Sequence, residues 1–139
     1  MKKPIRAGAI LIKNNKILLM HRFKNDEEYY VFPGGSVEKG ETPKQAVVRE
    51  ILEETSIKAN VEKILYEISL DTTDQHYYLC NYISGKPKLG KSIEKEKMDK
   101  GKKDIYIQLW FDINKLSSIT LYPLDIRDKL ITALQRESL

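Results

Sequence analysis

From Ile5 to Ile12 apolar and other positions alternate, with Ile5, Ala7, Ala9 and Leu11 on one side, which predicts a β-strand. Asn14-Asn15 reads as a hairpin turn, and Lys16-Ile17-Leu18-Leu19-Met20 as the returning strand. Tyr29 to Phe32 is a short aromatic and β-branched run that stops at Pro33-Gly34-Gly35, where the backbone is free to turn sharply and approach another group closely. The pattern then changes to a helical one. Thr42 is the predicted N-cap, Pro43 the first helical residue, and Gln45 completes a capping box, so a helix is expected to about Thr55. Strands follow around 61–70, 75–83 and 104–111. Pro123 and Asp125 open a last helix with Ile126, Leu130, Ile131 and Leu134 on its inner face. Strands on both sides of a central helix, plus a closing helix, predict an α/β fold with a mixed sheet covered by helices.

The central helix has a peculiar charge pattern. At about 100° per residue, Val47, Val48, Ile51 and Leu52 share one broad face, and Glu50, Glu53 and Glu54 gather opposite it. Like charges at these spacings repel by about 0.2–0.5 kcal/mol per pair. Glu53 and Glu54 also fall in the last turn, where the helix dipole opposes them. No lysine follows until Lys58, and only Arg49 flanks the cluster. Surface helices usually intersperse lysine among such acids. A bound cation explains the crowding better, and carboxylate oxygens suit Mg²⁺, with Mn²⁺ as an alternative.

Length, charge and composition narrow the picture. The length predicts a single domain over 1–139, and 41% hydrophobic residues are enough for a core. The single cysteine, Cys80, excludes an internal disulfide and reads as a small buried hydrophobe. Arg6, Lys13 and Lys16 break the first apolar stretch, so neither an export signal nor a membrane span is read there, and a cytoplasmic location is expected. A net charge of +4 favours an anionic ligand without naming one. From Gly85 to Lys103 the chain holds eight lysines against Glu94, Glu96 and Asp99, and it has no aromatic residue on which a base could stack. A solvated loop is the expectation there, and a nucleic-acid partner is disfavoured.

Read together, Gly35 to Ile57 form GSVEKGETPKQAVVREILEETSI, which resembles the Nudix box. Gly35, Glu41, Arg49, Glu50, Ile51, Glu53, Glu54 and Ile57 occupy eight of its nine fixed positions, preceded by the usual Phe32-Pro33-Gly34. The ninth, a glycine near the helix end, is Ser56 here. The resemblance implies a Nudix-type α/β/α sandwich with the box as loop–helix–loop. It also implies a Mg²⁺-dependent hydrolase that cuts a pyrophosphate bond in a small nucleotide, namely a nucleoside diphosphate linked to another moiety. Glu50, Glu53 and Glu54 then hold metal together with the Gly34 carbonyl, and Arg49 positions a glutamate with Glu41 as its partner. Glu50 is the first choice of general base, with Glu94, Glu96 and Asp99 as alternatives in the lysine-rich stretch. Arg22 is a candidate phosphate contact, and Glu94 and Glu96 are further candidates near the substrate. Phe23, Tyr29, Tyr30, Tyr77 and Tyr78 are candidate base stackers, whereas His21 and His76 read as structural or surface residues. Two other functions stay open: a nucleotide sensor without activity, and a pyrophosphohydrolase of RNA 5′ ends. A homodimer is also left open.

Overall fold

The computed structural model describes residues 3–87, 92–93 and 105–139. The first three strands form a meander: β1 Ile5–Lys13, β2 Lys16–Lys24 and β3 Glu27–Val31. Both of its turns place two residues at positive φ, Asn14 and Asn15 in the first and Asn25 and Asp26 in the second. That is the backbone geometry of two-residue hairpins, which asparagine and aspartate tolerate best after glycine. The second hairpin extends β2 four residues beyond the expected Met20. Strand β4 (Gly34–Ser36) leads to helix α1 (Pro43–Thr55), followed by the long hairpin of β5 (Lys58–Ser69) and β6 (Asp74–Ser84). After the two-residue strand β7 (Ser92–Ile93) come β8 (Ile105–Asp112), a 3₁₀ turn (Ile113–Ser118), β9 (Leu121–Tyr122) and helix α2 (Leu124–Gln135). The 3₁₀ turn and β9 carry no periodic signal, being too short for one.

The sheet runs β5-β6-β1-β2-β3-β9, with β4 also on β1, β8 on β2 and β7 on β8. It is mixed, because β1 pairs with β6 in parallel and β3 with β9 in parallel. Strand β1 is the hinge of the arrangement. Its first half lies between β6 and β4, and its far end pairs with β2. Each face carries a core. On one face Ala7, Ala9, Leu11 and Leu18 pack with Val47 and Ile51 of α1, together with Ile57, Tyr78 and Cys80. On the other, Ile10, Ile17, Leu19, Phe32 and Tyr77 pack with Leu116, Leu121, and Ile126 and Leu130 of α2. A helix covers each face, as expected of a sheet covered by helices, so Ala7 through Leu11 are all buried. On α2, Ile126 and Leu130 are fully buried, while Ile131 and Leu134 sit at the rim.

Helix α1 stops where expected, but on an unusual residue. Ser56 adopts the left-handed conformation (φ 64, ψ 14), with its N–H donating to the Leu52 carbonyl. A Cβ is disfavoured there and glycine is not. Ser56→Gly is therefore expected to stabilise the fold by about 1 kcal/mol, read as a higher urea midpoint at unchanged slope.

Candidate active site

The box helix is fixed at both ends. The Thr42 side chain accepts from Gln45 N–H (3.1 Å) and the Gln45 side chain accepts from Thr42 N–H (2.9 Å), the reciprocal pair expected of a capping box. At the other end the buried Thr55 hydroxyl donates to the Ile51 carbonyl (2.6 Å) and accepts from Ile57 N–H (3.2 Å). Between them Val47 and Ile51 set the roll of the helix on the sheet. That roll differs from the one expected from the wheel. Leu52, placed on the inner face by sequence, is 52% exposed, whereas Glu50 and Glu54 turn inward along the flank where β4 lies. The wheel finds a single apolar arc but knows nothing of a strand beside the helix.

Strand β4 meets these two carboxylates with its glycines. In the ladder with β1, Gly34 stands opposite Gly8 and Gly35 opposite Ala7. Val37 N–H donates to the Ile5 carbonyl and Ala9 N–H to the Pro33 carbonyl. These bonds make the Gly8–Gly34 pair a non-hydrogen-bonded one, so both backbone groups of Gly34 face away from β1. Its N–H donates to Glu54 Oε1 at 2.8 Å, and its carbonyl looks out along the same edge. Burial pushes the Glu54 carboxyl up to about 7, although the Gly34 N–H and the charge of Arg6 oppose the shift. At Gly35 a Cβ would stand 2.6 Å from Glu50 Cδ, so the missing side chain is the space the Glu50 carboxylate occupies. At Gly34, a Cβ would instead run into the Ala7 carbonyl.

Arg49 ties the carboxylates into one array. Its Nε and Nη2 grip both oxygens of Glu41 at 2.7 and 3.0 Å, a bidentate pair. Its Nη1 lies 2.9 Å from Glu50 Oε1, 3.3 Å from Glu53 Oε1 and 3.2 Å from Glu38 Oε1, and Nη2 reaches the Ser36 carbonyl at 3.2 Å. The hydrogen bond from Arg49, aided by Glu38 N–H, holds the Glu41 carboxyl below its ordinary range. Glu53 is the outermost of the three box acids, its side chain 59% exposed.

The other sequence candidates divide. Arg22 faces Tyr29 and Tyr106 across the ladders, with its guanidinium 4.2 Å from the Tyr106 ring centre. It is thus placed among tyrosines rather than in the Arg49 array. His21 stacks on Tyr30 at 4.1 Å and contacts Glu28, and His76 lies 3.7 Å from Glu67, so both are held by neighbours. Of the aromatic candidates, Tyr77 and Tyr78 are buried on opposite faces of β6, and Tyr29 packs against Tyr122 at 5.4 Å. Phe23 touches His21 at 4.4 Å. Cys80 is buried and its thiol is pushed up to about 12 by that burial, as suits a core residue. Glu94, Glu96 and Asp99 lie outside the described residues. The sequence reading passed over Glu38, which occupies an unconstrained box position, and Arg6, which looked only like a break in an apolar run.

This architecture has relatives. The family model described as NUDIX domain matches residues 2–135. An 8-oxo-dGTP diphosphatase of Escherichia coli K12 is 35% identical over 94 residues, covering 63% of this chain and 73% of that one. An ADP-ribose pyrophosphatase of Methanocaldococcus jannaschii is 38% identical over 80 residues; the match covers 57% of this chain and 47% of the archaeal protein, under half its length. Among solved structures, one from a study of MutT from Aliivibrio salmonicida and Vibrio cholerae superposes with a TM-score of 0.70 at 21% identity, over 98% of this chain and 99% of that one, and shares the fold. The chain belongs to the Nudix family, and its class is that of the Nudix-type pyrophosphohydrolases.

Nudix hydrolases generally use divalent metals. As the side chains stand, no three acids among the described residues converge on one point, because Arg49 lies between Glu41, Glu50 and Glu53 while Glu54 faces Gly34. The donor set nevertheless fits a hard cation. It consists of oxygens alone, it includes a carboxylate that burial leaves short of charge compensation, and the Gly34 carbonyl looks out beside it.

Two outcomes follow from the glycines and from Glu54. In Gly35→Ala the new methyl meets only the end of a flexible side chain, so the fold is expected to hold while the displaced Glu50 costs about 10²-fold in turnover. Gly34→Ala instead strikes backbone and is expected to lower the melting temperature; thermal melts beside rate assays separate the two. For Glu54, a folded-state pKa raised above the unfolded one means that stability is lost as pH rises from the unfolded value toward about 7. In EDTA, Glu54→Gln is therefore expected to stabilise the protein by about 1–3 kcal/mol at pH 8 and by almost nothing near pH 4.5, as read from urea melts.

Proposed function

We propose that this chain hydrolyses a pyrophosphate bond in a nucleoside diphosphate linked to another moiety, such as a nucleoside triphosphate, a nucleotide sugar or a dinucleotide, with Mg²⁺ as its cation. The observation that carries this reading is the array itself. Two acids of one helix, Glu50 and Glu54, lie against a glycine strand with Glu53 outside them, and a single arginine fixes Glu41 and Glu50. The names of the relatives agree in kind, since an 8-oxo-dGTP diphosphatase and an ADP-ribose pyrophosphatase both act on phosphoric anhydrides of nucleotides.

Glu50, Glu53 and Glu54, with the Gly34 carbonyl, would hold the metal. A divalent cation bound there supplies charge for the phosphates and acidifies a water. The remaining work falls to the chain. Arg49 anchors Glu50 through Oε1, and Oε2 has no hydrogen bond among the described residues. That leaves Oε2 of Glu50 to accept the proton of the attacking water as general base, with Oε1, shared with Arg49, on the side of the metal. Glu41 keeps Arg49 in place through two short bonds and thereby holds Glu50 in register. The bare Gly35 leaves room for the Glu50 carboxylate against β4, and the bare Gly34 lets β4 close on β1 while its N–H reaches Glu54. Products are a nucleoside monophosphate and a phosphorylated remainder, or inorganic pyrophosphate where the substrate is a triphosphate.

A nucleotide panel with Mg²⁺, Mn²⁺ or EDTA tests the reading. Turnover is expected with Mg²⁺ and is expected to vanish in EDTA. Glu50→Gln should lower kcat by about 10²–10⁴-fold. Equal turnover by wild type and Glu53→Gln would remove the metal assignment, and tight nucleotide binding without any turnover would make the chain a sensor.

A further inference from the structure

Beside the Gly34 edge lies a second polar group that the box does not include. Across β4, β1 and β6, Ser36, Arg6 and Gln75 stand in one row, because Arg6 pairs with Ser36 on one side and with Gln75 on the other. Directly paired residues on neighbouring strands present their side chains to the same face. The next row on that face is Gly34, Gly8 and Tyr77. Two of its three members have no side chain, but the Tyr77 ring fills the space over Gly8, where a Cβ would stand 2.5 Å from it, so the polar row meets the Gly34 edge through Ser36, two residues along β4. Phe32 packs edge-on against Tyr77 at 5.4 Å and supports that ring from the core side.

The row is made of donors. The buried Tyr77 hydroxyl donates to Gln75 Oε1 at 2.7 Å, which fixes the amide and turns its NH₂ away from Tyr77. Arg6 is exposed and makes no hydrogen bond or ion pair among the described residues. Its positive charge is felt at both the Glu54 carboxyl and the Tyr77 hydroxyl, each held lower than burial alone would set it. An unpaired arginine beside an oriented amide, at the edge of a site for phosphoric anhydrides, is the chemistry of an oxyanion clamp.

We infer that Arg6 and the Tyr77-oriented amide of Gln75 bind non-bridging phosphate oxygens of the substrate, on the side of the Gly34 edge away from α1. Arg6 is thus a substrate-contact residue, and Tyr77 is a positioning residue that acts through Gln75. This inference rests on the pyrophosphate-cutting function proposed above. It adds a cationic contact supplied by β1, outside the box, and it favours substrates that carry full negative charge next to the scissile bond.

The test uses inorganic pyrophosphate as the probe, with binding followed by calorimetry in Mg²⁺ and again in EDTA. Arg6→Gln is expected to weaken binding about 10-fold in both conditions, and Arg6→Lys to recover part of the loss. Gln75→Glu, which puts a carboxylate where the amide stood, should weaken it at least as much. Tyr77→Phe should raise KM in turnover assays and leave kcat nearly unchanged. Arg136→Gln, just past the end of α2, removes the same charge elsewhere and should change nothing. Circular-dichroism melts show whether each variant is folded; Arg6 is exposed, so its replacement is expected to leave the melt in place. Wild-type affinity in Arg6→Gln, or a loss no larger than in Arg136→Gln, would overturn the inference, as would wild-type protein that does not bind pyrophosphate. Arg6-dependent binding without turnover of any nucleotide would support the clamp while removing the proposed hydrolysis.

Discussion

A carboxylate taken out of water must be met by donors, by a cation or by a proton. Glu54 is the point in this molecule where that requirement bears hardest. One backbone N–H of Gly34 meets it directly, and its carboxyl is still pushed up to about 7. The neighbouring acids have a different answer. Arg49 sits among Glu38, Glu41, Glu50 and Glu53 and satisfies several of their oxygens with one guanidinium. Arginine suits this task where lysine does not, because five N–H groups in a rigid plane can serve several carboxylates at once. The box is therefore balanced at one end by a protein cation and left short of positive charge at the other. The shortfall lies beside Gly34, where the proposed cation would supply the missing charge.

The fold exists to hold that edge still. β4 is only three residues long, and its ladder partner β1 is locked on its other side by a parallel pairing with β6 over seven residues. Helices on both faces bury the middle of β1 completely. A short strand on so rigid a neighbour can present bare glycine backbone to a helix without fraying. The same clamping fixes the lateral order β4–β1–β6, and with it the row Ser36–Arg6–Gln75.

Much of this was legible in the sequence, and the losses have definite causes. The capping box at Thr42, the hairpin turn at Asn14-Asn15 and the spacing of the box acids are local signals. Local signals survive folding when nothing contradicts them. Leu52 and Glu54 were misplaced because a helical wheel assumes one buried arc. Here the sheet below α1 and the strand β4 at its flank make two separate contacts, and the second accepts carboxylates. Arg6 was invisible for another reason. Its meaning depends on which strands stand beside β1 and in what register, and no window of sequence contains both Ser36 and Gln75. The short elements β9 and the 3₁₀ turn leave no periodicity to read at all.

The end of α1 gathers several unfavourable terms in a few residues. Acids there oppose the helix dipole, with no basic residue in the last turn, Glu54 is buried, and Ser56 is left-handed without being glycine. Such a terminus would fray if it depended on its own propensity. It persists because Ile51 and Ile57, on either side of it, are fully buried, and because the Thr55 hydroxyl occupies a backbone acceptor and a backbone donor. The apolar anchors and the acids thus occupy alternate positions along the same two turns. Moving the acids one residue toward the C-terminus would put two of the three at the buried positions of Ile51 and Thr55, so the spacing of the box is dictated by packing as much as by chemistry. A helix of this kind tolerates its own electrostatic strain only while docked, which ties the integrity of the carboxylate array to the hydrophobic face behind it.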